Sequence, residues 1–163
     1  MTAALSSGLP VSAQRVQDAL SALGCTAQVR EMPASTRTAA DAAAACGCDG
    51  GAIVKSLIFR GADSGQGILV LTSGANRVHE KRLGRQLGEK LARADAEYVR
   101  TATGYAIGGV PPLGHATRMR VVMDRDLNGY PEIWAAAGTP SAVFPTTPEE
   151  LARLTGAEVL TVT

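Results

Sequence analysis

A lysine within an apolar stretch is the first feature of the sequence that could do chemistry. Lys55 lies in residues 52–59, which read Ala-Ile-Val-Lys-Ser-Leu-Ile-Phe. This pattern predicts a β-strand with both faces largely buried, because apolar residues occupy both alternating sets. Two interpretations of a lysine there remain open. Its stem packs inside while its head reaches solvent, or the cation faces a cleft and meets a phosphate or a developing negative charge.

A second feature is the segment at residues 104–115, which is rich in glycine and proline. Gly108 and Gly109 let the backbone approach a ligand closely and direct N–H groups at it, whereas Pro111 and Pro112 lack N–H groups and stiffen the chain. A rigid loop with free amides suits a carbonyl oxygen or an oxyanion, although a structural loop fits this composition equally well. The segment is neither a P-loop nor a dinucleotide-binding fingerprint, because the required endings and glycine spacings are absent.

A third feature is a basic segment between residues 77 and 93, in which basic residues outnumber acidic ones. Lys81 and Arg85 are four residues apart, so a helix would place them on one face together. A solvated helix face explains the pattern, and a surface that contacts phosphates explains it too. On the second interpretation the contacts come from Arg77, Lys81, Arg82 and Arg85.

Other reactive residues form no recognisable catalytic set. His79 and His115 are the only histidines, and each could serve as a general base. No Gly-x-Ser-x-Gly elbow and no convincing Ser/His/Asp or Cys/His arrangement is present. Asp124 and Asp126 stand close to an Asn-Gly turn signal, and we interpret them as solvated turn residues.

The composition limits the function classes. The chain has 163 residues, 45% hydrophobic content and a net charge of +1, which predicts one domain over residues 1–163 with a core at about 12–160 and excludes a polybasic arm or an acidic tail. Three cysteines, with Cys46 and Cys48 separated by one residue, indicate free thiols rather than a disulfide framework or a zinc site. No signal peptide and no membrane-spanning run is recognisable, so we expect a cytoplasmic protein without a metal or other cofactor.

The elements that must position these residues alternate without a regular βαβ rhythm. Helices are predicted to begin at caps Ser12, Thr38 and Thr147, and further helices are predicted within residues 78–91 and 95–102. Strands are predicted at 26–32, 52–59, 68–72, 118–123, 131–136, 142–144 and 158–162. This order predicts an α+β fold with a mixed, mainly antiparallel sheet and helices packed outside.

Four stretches together resemble the YbaK/ProX family of aminoacyl-tRNA deacylases, the free-standing relatives of the editing domain in bacterial prolyl-tRNA synthetases. They are Ser35-Thr36-Arg37-Thr38-Ala39, Ile53-Val54-Lys55-Ser56-Leu57, residues 104–115, and Ala136-Ala137-Gly138-Thr139-Pro140 leading into Thr147-Pro148-Glu149-Glu150-Leu151. The most specific part is the Gly-x-x-x-Pro element from Gly108 to Pro112 combined with the strand lysine. The resemblance covers about residues 12–160.

The resemblance implies a curled sheet and a pocket for the charged 3′ end of tRNA, with neither metal nor cofactor. Lys55 would lie beside the terminal adenosine or its phosphates, and the amides of Gly108 and Gly109 would hold the aminoacyl carbonyl. The terminal ribose hydroxyl would help to activate water. The substrate-binding residues implied are Thr36, Ser56, Tyr105, Val110, Pro112, His115, Gly138 and Thr139.

The expected activity is therefore deacylation of mischarged tRNA, with tRNA(Pro) carrying alanine, 2-aminobutyrate or cysteine as the expected substrate. A prolyl-tRNA synthetase is a candidate partner, while DNA and membranes are not expected partners. Two alternatives stay open: a non-catalytic module that binds tRNA or a synthetase through the same pocket, and thiol chemistry at Cys46 and Cys48.

Overall fold

The computed structural model describes residues 8–163 and contains five α-helices and eight strands within them. The helices are α1 (Val11–Ala22), α2 (Ala39–Cys46), α3 (Glu80–Leu87), α4 (Ala96–Thr103) and α5 (Pro148–Thr155). The strands are β1 (Arg30–Glu31), β2 (Ile53–Gly61), β3 (Gly67–Ser73), β4 (Leu91–Arg93), β5 (Arg120–Asp124), β6 (Ile133–Ala136), β7 (Ala142–Thr146) and β8 (Glu158–Leu160). Short 3₁₀ helices precede β2 and follow β5.

All eight strands belong to one sheet. Its order is β1-β7-β6-β2-β3-β5-β8, and β4 pairs with β2 outside this path. Four of the seven strand pairings are antiparallel and three are parallel. The predicted α+β class with a mixed, mainly antiparallel sheet is therefore confirmed. None of the helices in this part of the chain combines the length and apolarity that crossing a bilayer requires.

The central strand β2 is paired along its whole length on one edge only. β3 covers that edge from Val54 to Arg60 in antiparallel register. On the opposite edge, β6 pairs with the first two residues of β2, and β4 pairs with the last three. No strand of the described chain covers residues 55–58 on this edge, so the sheet is interrupted at the middle of β2.

Buried apolar clusters lie on both faces of β2, as the alternation of its side chains requires, and the smallest of the three contains Ile53 and Trp134. The larger core contains Val54 and Ile58 together with buried residues of α1, β3 and α4. The second core contains Phe59 and is closed by Leu83 and Leu87 of α3. The middle of β2, from Lys55 to Leu57, is only half-buried, because the sheet is interrupted there.

Local sequence signals explain where several helices begin and end. The Thr38 hydroxyl accepts a hydrogen bond from the Asp41 N–H at 3.1 Å, and the Thr147 hydroxyl accepts one from the Glu150 N–H at 3.1 Å. Gly47 ends α2 in the left-handed conformation, with φ of 66°, which an alanine would adopt only at a cost. The two caps were predicted from the sequence and are confirmed.

Three predictions about elements were wrong. Pro10, not Ser12, is the N-cap of α1, and no side chain caps this helix. The strand expected at 26–32 is reduced to β1. The helix expected within 78–91 ends earlier, because Gly88 ends α3, and Leu91 begins β4 instead. The Asn-Gly turn signal at 128–129 lies in the 3₁₀ helix that follows β5.

Candidate active site

The interruption of the sheet opens into a cavity of about 940 Å³. Residues 53–59 of β2 line it throughout, including Lys55 and Ser56. The lining also contains Val99 and Val110, which belong to the larger core, and Val78, which packs against the second core. The cavity therefore reaches both faces of the sheet beside the unpaired edge of β2, and groups on opposite faces share one space.

The Lys55 side chain is anchored by a backbone carbonyl. Its Nζ donates a hydrogen bond to the carbonyl oxygen of Asn76 at 2.7 Å. Burial is the main cause that holds the pKa of this ammonium below its ordinary value; the neighbouring Arg77 lowers the pKa further, and Asp124 opposes the shift. A bound anion would favour the charged form of Lys55, so this position suits a phosphate or another oxyanion.

A buried carboxylate holds the loop that anchors Lys55. Asp124 is 1% exposed, and its Oδ2 accepts hydrogen bonds from the Ser73 N–H at 3.0 Å and the Asn76 Nδ2 at 2.9 Å. Its Oδ1 accepts one from the Asp126 N–H at 2.9 Å. The interpretation of Asp124 as a solvated turn residue was wrong, because the loop after β3 folds over it. Asp126 is exposed, as interpreted, and also accepts from Asn76.

The segment at residues 104–115, called the glycine loop below, reaches the same cavity through Gly108 and Val110. Gly108 has φ of 100°, and a Cβ there would stand 3.1 Å from the Arg37 side chain, so a glycine lets Arg37 lie against the loop. Within residues 8–163 nothing accepts a hydrogen bond from the N–H of Gly108 or of Val110. Two amides of this loop are thus free beside the cavity.

The expectation that the Gly109 amide would hold the aminoacyl carbonyl does not fit the hydrogen bonds of this residue. Its N–H donates to the Ala106 carbonyl at 3.1 Å, and its own carbonyl accepts from the Gly138 N–H at 2.8 Å. A Cβ at this position would lie 2.9 Å from the Thr139 backbone. Gly109 therefore has no free amide to offer to a substrate, and it is a glycine because the loop packs directly on residues 138–139.

Three of the predicted substrate-binding residues line the cavity, namely Thr36, Ser56 and Val110. Thr36 is also structural, because its hydroxyl donates to the Pro140 carbonyl at 3.0 Å. Ser56 differs, since its hydroxyl oxygen is buried and has no hydrogen-bond partner. These three residues remain candidates for contact with a substrate.

Five other predicted substrate-binding residues lie outside the cavity lining, and each has a packing or turn role instead. Tyr105 is buried under the Arg15 guanidinium, which stands 4.7 Å from the ring centroid. His115 bonds to the Pro111 carbonyl at 2.7 Å, and burial lowers its pKa. The Gly138 N–H donates to the Gly109 carbonyl and the Thr139 backbone packs on Gly109, while Pro112 is buried within the loop itself.

The basic residues divide into two groups. Arg77 lines the cavity with Lys55, whereas Lys81, Arg82 and Arg85 are exposed on α3. The prediction of a phosphate-contacting surface on α3 remains a prediction.

Sequence reasoning missed several residues at the cavity mouth. Arg37 and Arg93 add positive charge, and Glu80 pairs with Arg93 at 3.2 Å. Ile107 also lines the cavity and is 59% exposed. Each of them stands in a segment that the sequence singles out: Arg37 in a stretch of the family resemblance, Glu80 and Arg93 in the basic segment, and Ile107 in residues 104–115. Nothing in the sequence indicates that these segments meet at one cavity.

Comparisons with known proteins identify the family of this chain. The model of the aminoacyl-tRNA editing domain family matches residues 33–154, which include β2 and the glycine loop. The chain belongs to the aminoacyl-tRNA editing domain family. A relative from Bacillus subtilis (strain 168), the uncharacterized protein YwhH, is 31% identical over 131 residues, which are 80% of this chain and 83% of the relative.

Two solved structures share the fold of this editing domain over nearly the whole chain. One, described as a candidate trans-editing enzyme for prolyl tRNA synthetase, is 51% identical with a TM-score of 0.91, covering 96% of this chain and 99% of that one. The other, hypothetical protein APE2540, is 32% identical with a TM-score of 0.84, covering 91% and 98%. The resemblance inferred from the sequence is confirmed at the level of the family.

Among the described residues, no group of three or more histidine, cysteine, aspartate or glutamate side chains is placed to hold a metal ion. Cys25, Cys46 and Cys48 are free thiols. Burial, together with the neighbouring Cys48, raises the pKa of the Cys46 thiol to about 11, which suppresses the thiolate that redox chemistry needs.

Proposed function

We propose that this editing domain hydrolyses the ester bond of tRNA charged with a wrong, small amino acid, and that tRNA(Pro) is its substrate. The observation that carries the proposal is that Lys55, Gly108 and Val110 line one cavity, and that the N–H groups of Gly108 and Val110 have no hydrogen-bond partner in residues 8–163. A cation and two backbone donors in one cleft match the two ends of the scissile group, a phosphate and an ester carbonyl.

The cavity has two chemically different regions. Lys55, Arg77, Arg37 and Arg93 supply positive charge, of which only Arg93 is paired with an acid. The region next to the larger core is lined by Val54, Ile58, Val99, Val110 and Ala135. The terminal adenosine and its phosphates occupy the charged region, and a small aliphatic side chain fits the apolar one.

The chemistry requires little from the protein beyond positioning and charge stabilisation. In the hydrolysis, water attacks the ester carbonyl carbon, negative charge develops on the carbonyl oxygen, and the ribose oxygen leaves with a proton. The N–H groups of Gly108 and Val110 stabilise the developing oxyanion, and one such donor is worth about 10²- to 10³-fold in rate. The neighbouring ribose hydroxyl of the substrate assists the attacking water, and Lys55 holds the adenosine end in place.

The test is a panel of tRNA(Pro) species charged with alanine, 2-aminobutyrate, cysteine, serine and proline, followed for release of the amino acid in the presence of EDTA. We expect at least one small-residue ester to be hydrolysed and prolyl-tRNA to be spared. Lys55→Met keeps the apolar stem and removes the charge, so it should reduce kcat/KM by about 100-fold or more, as expected for losing a buried charge-assisted contact and its alignment.

Lys90→Met is the matched control, because Lys90 is exposed and lies outside the cavity lining; its kcat/KM should stay within twofold of wild type. Hydrolysis of none of the five esters by the wild-type protein would contradict the proposal. Saturable binding of the tRNA without turnover would instead support the non-catalytic module.

A further inference from the structure

Ser56 is the residue of β2 whose polar atoms are left without partners. Alternate residues of a strand direct their N–H and C=O groups to opposite edges. Ile53 accepts from the Gly74 N–H on the β3 side, and Gly61 donates to Gln66 on that side as well. Odd-numbered residues therefore bond to β3, and Ser56 directs both main-chain groups to the interrupted edge.

Neither neighbouring strand reaches these groups. The parallel pairing with β6 ends at Val54, and the antiparallel pairing with β4 begins at Phe59. No other group in residues 8–163 bonds to the Ser56 N–H or C=O. The Ser56 hydroxyl, which is buried, also lacks a partner. Three polar groups of a single residue thus stand free beside the cavity that Ser56 lines.

Buried polar groups without partners are rare in folded proteins because each one costs free energy. A buried hydroxyl without a partner, next to two main-chain groups that are also without partners, indicates that a ligand supplies the missing hydrogen bonds at Ser56. The carbonyl and the hydroxyl are both able to accept, and together they suit a compact donor with several protons, such as an ammonium group. The neighbouring cation does not supply these protons, because Lys55 points to the opposite face of the strand and is bonded to Asn76.

We propose that the carbonyl and hydroxyl oxygens of Ser56 bind the α-ammonium group of the esterified amino acid. This inference rests on the proposed deacylase function and deepens it. With the ester carbonyl on the free amides of Gly108 and Val110, the amino group two bonds away is held by β2. The substrate then spans the interruption of the sheet, and esters without a free amino group are discriminated against.

The experiment compares alanyl-tRNA(Pro) with lactyl-tRNA(Pro), in which a hydroxyl replaces the ammonium and the size is unchanged. For each ester, kcat/KM is divided by its spontaneous hydrolysis rate at the same pH, because the ammonium also activates the ester chemically. A charge-assisted hydrogen bond corresponds to about 10- to 100-fold in affinity, so the wild-type protein should prefer the alanyl ester by that factor after the correction.

Ser56→Ala should reduce this preference at least threefold, because one of the two acceptors is lost. Thr72→Val is the matched control: the Thr72 hydroxyl is also buried and unpartnered, but it lies outside the cavity lining, so the preference should not change. Equal corrected rates for the two esters, or a preference that Ser56→Ala leaves intact, would overturn the inference while the deacylase function stands. The comparison uses alanyl-tRNA(Pro) if the five-ester panel shows that it is hydrolysed, and otherwise the hydrolysed small-residue ester with its α-hydroxy counterpart; hydrolysis of none of the five esters would contradict the function itself.

Discussion

Replacing Asp124 with asparagine removes a buried negative charge that three N–H groups use as their acceptor. The two donors on Oδ2 come from Ser73 and Asn76, and the donor on Oδ1 comes from Asp126. An asparagine side chain offers only one oxygen, so at least one N–H would face the new NH₂ group instead of an acceptor. The Asn76 loop, whose carbonyl holds Lys55, would then lose part of its support.

The size of this effect can be worked out from the contacts. A hydrogen bond to a charged group contributes about 1.5–3 kcal/mol, and a buried N–H without a partner costs about 1–3 kcal/mol. Since one bond is lost and the others change from charged to neutral, we expect the free energy of unfolding to fall by about 2–4 kcal/mol. At about 2–4 °C per kcal/mol for a chain of this length, Tm should fall by roughly 5–15 °C.

Urea denaturation and thermal melts measure the stability, and deacylation kinetics measure the displacement of Lys55. Asp126→Asn is the matched control, because Asp126 also accepts from Asn76 but is exposed; it should cost less than about 1 kcal/mol, as exposed polar contacts do. If Asp124→Asn unfolds within 1 kcal/mol of wild type, the reasoning that this carboxylate organises the loop is refuted.

Three further outcomes are expected. Gly109→Ala should lower the free energy of unfolding by about 2 kcal/mol or more, because the new Cβ would meet the Thr139 backbone, which cannot move aside as a side chain would. Urea titrations measure this change, and an unchanged midpoint of unfolding would argue against that packing. Burial lowers the pKa of His115 in the folded state. The free energy of unfolding is therefore unaffected by this group above its unfolded pKa of about 6.5, and it falls as the pH drops from there toward the folded pKa. His115→Gln should flatten the dependence of stability on pH between about pH 7 and 5, and an unaltered pH profile would show that another group causes this dependence. Replacing Arg82 and Arg85 with glutamine should weaken tRNA binding and reduce the slope of log K against log salt by about one per lost phosphate contact, whereas an identical slope would exclude α3 from the interface.

Local features were predictable because their causes lie within a few residues. The caps of Thr38 and Thr147 depend on their own hydroxyls and on backbone N–H groups three residues further along the chain, and β2 is specified by its own apolar pattern. The α+β class followed from the order of such elements. The polar interruption at Lys55 and Ser56 was also visible in the sequence, and both residues do line the cavity.

What the sequence could not predict depends on contacts between distant segments. In the sequence, Asp124 resembles any aspartate near a turn. Its burial depends on the loop after β3, whose Asn76 is 48 residues away in the sequence. Gly109 and its neighbour Gly108 look equivalent in sequence, yet only Gly109 packs on Thr139. The interruption of the sheet beside β2 is the clearest case, since it depends on where the pairings of β4 and β6 with β2 end.

This interruption of the sheet affects how well the central strand is protected from local opening. A strand in the middle of a sheet is usually among the last segments to exchange its amide protons with solvent, because partners on both sides protect it. Over residues 55–58 that protection comes from β3 alone. A bound aminoacyl group would supply partners on the interrupted edge of β2. The free and substrate-bound forms would then differ less in shape than in the rigidity of this strand.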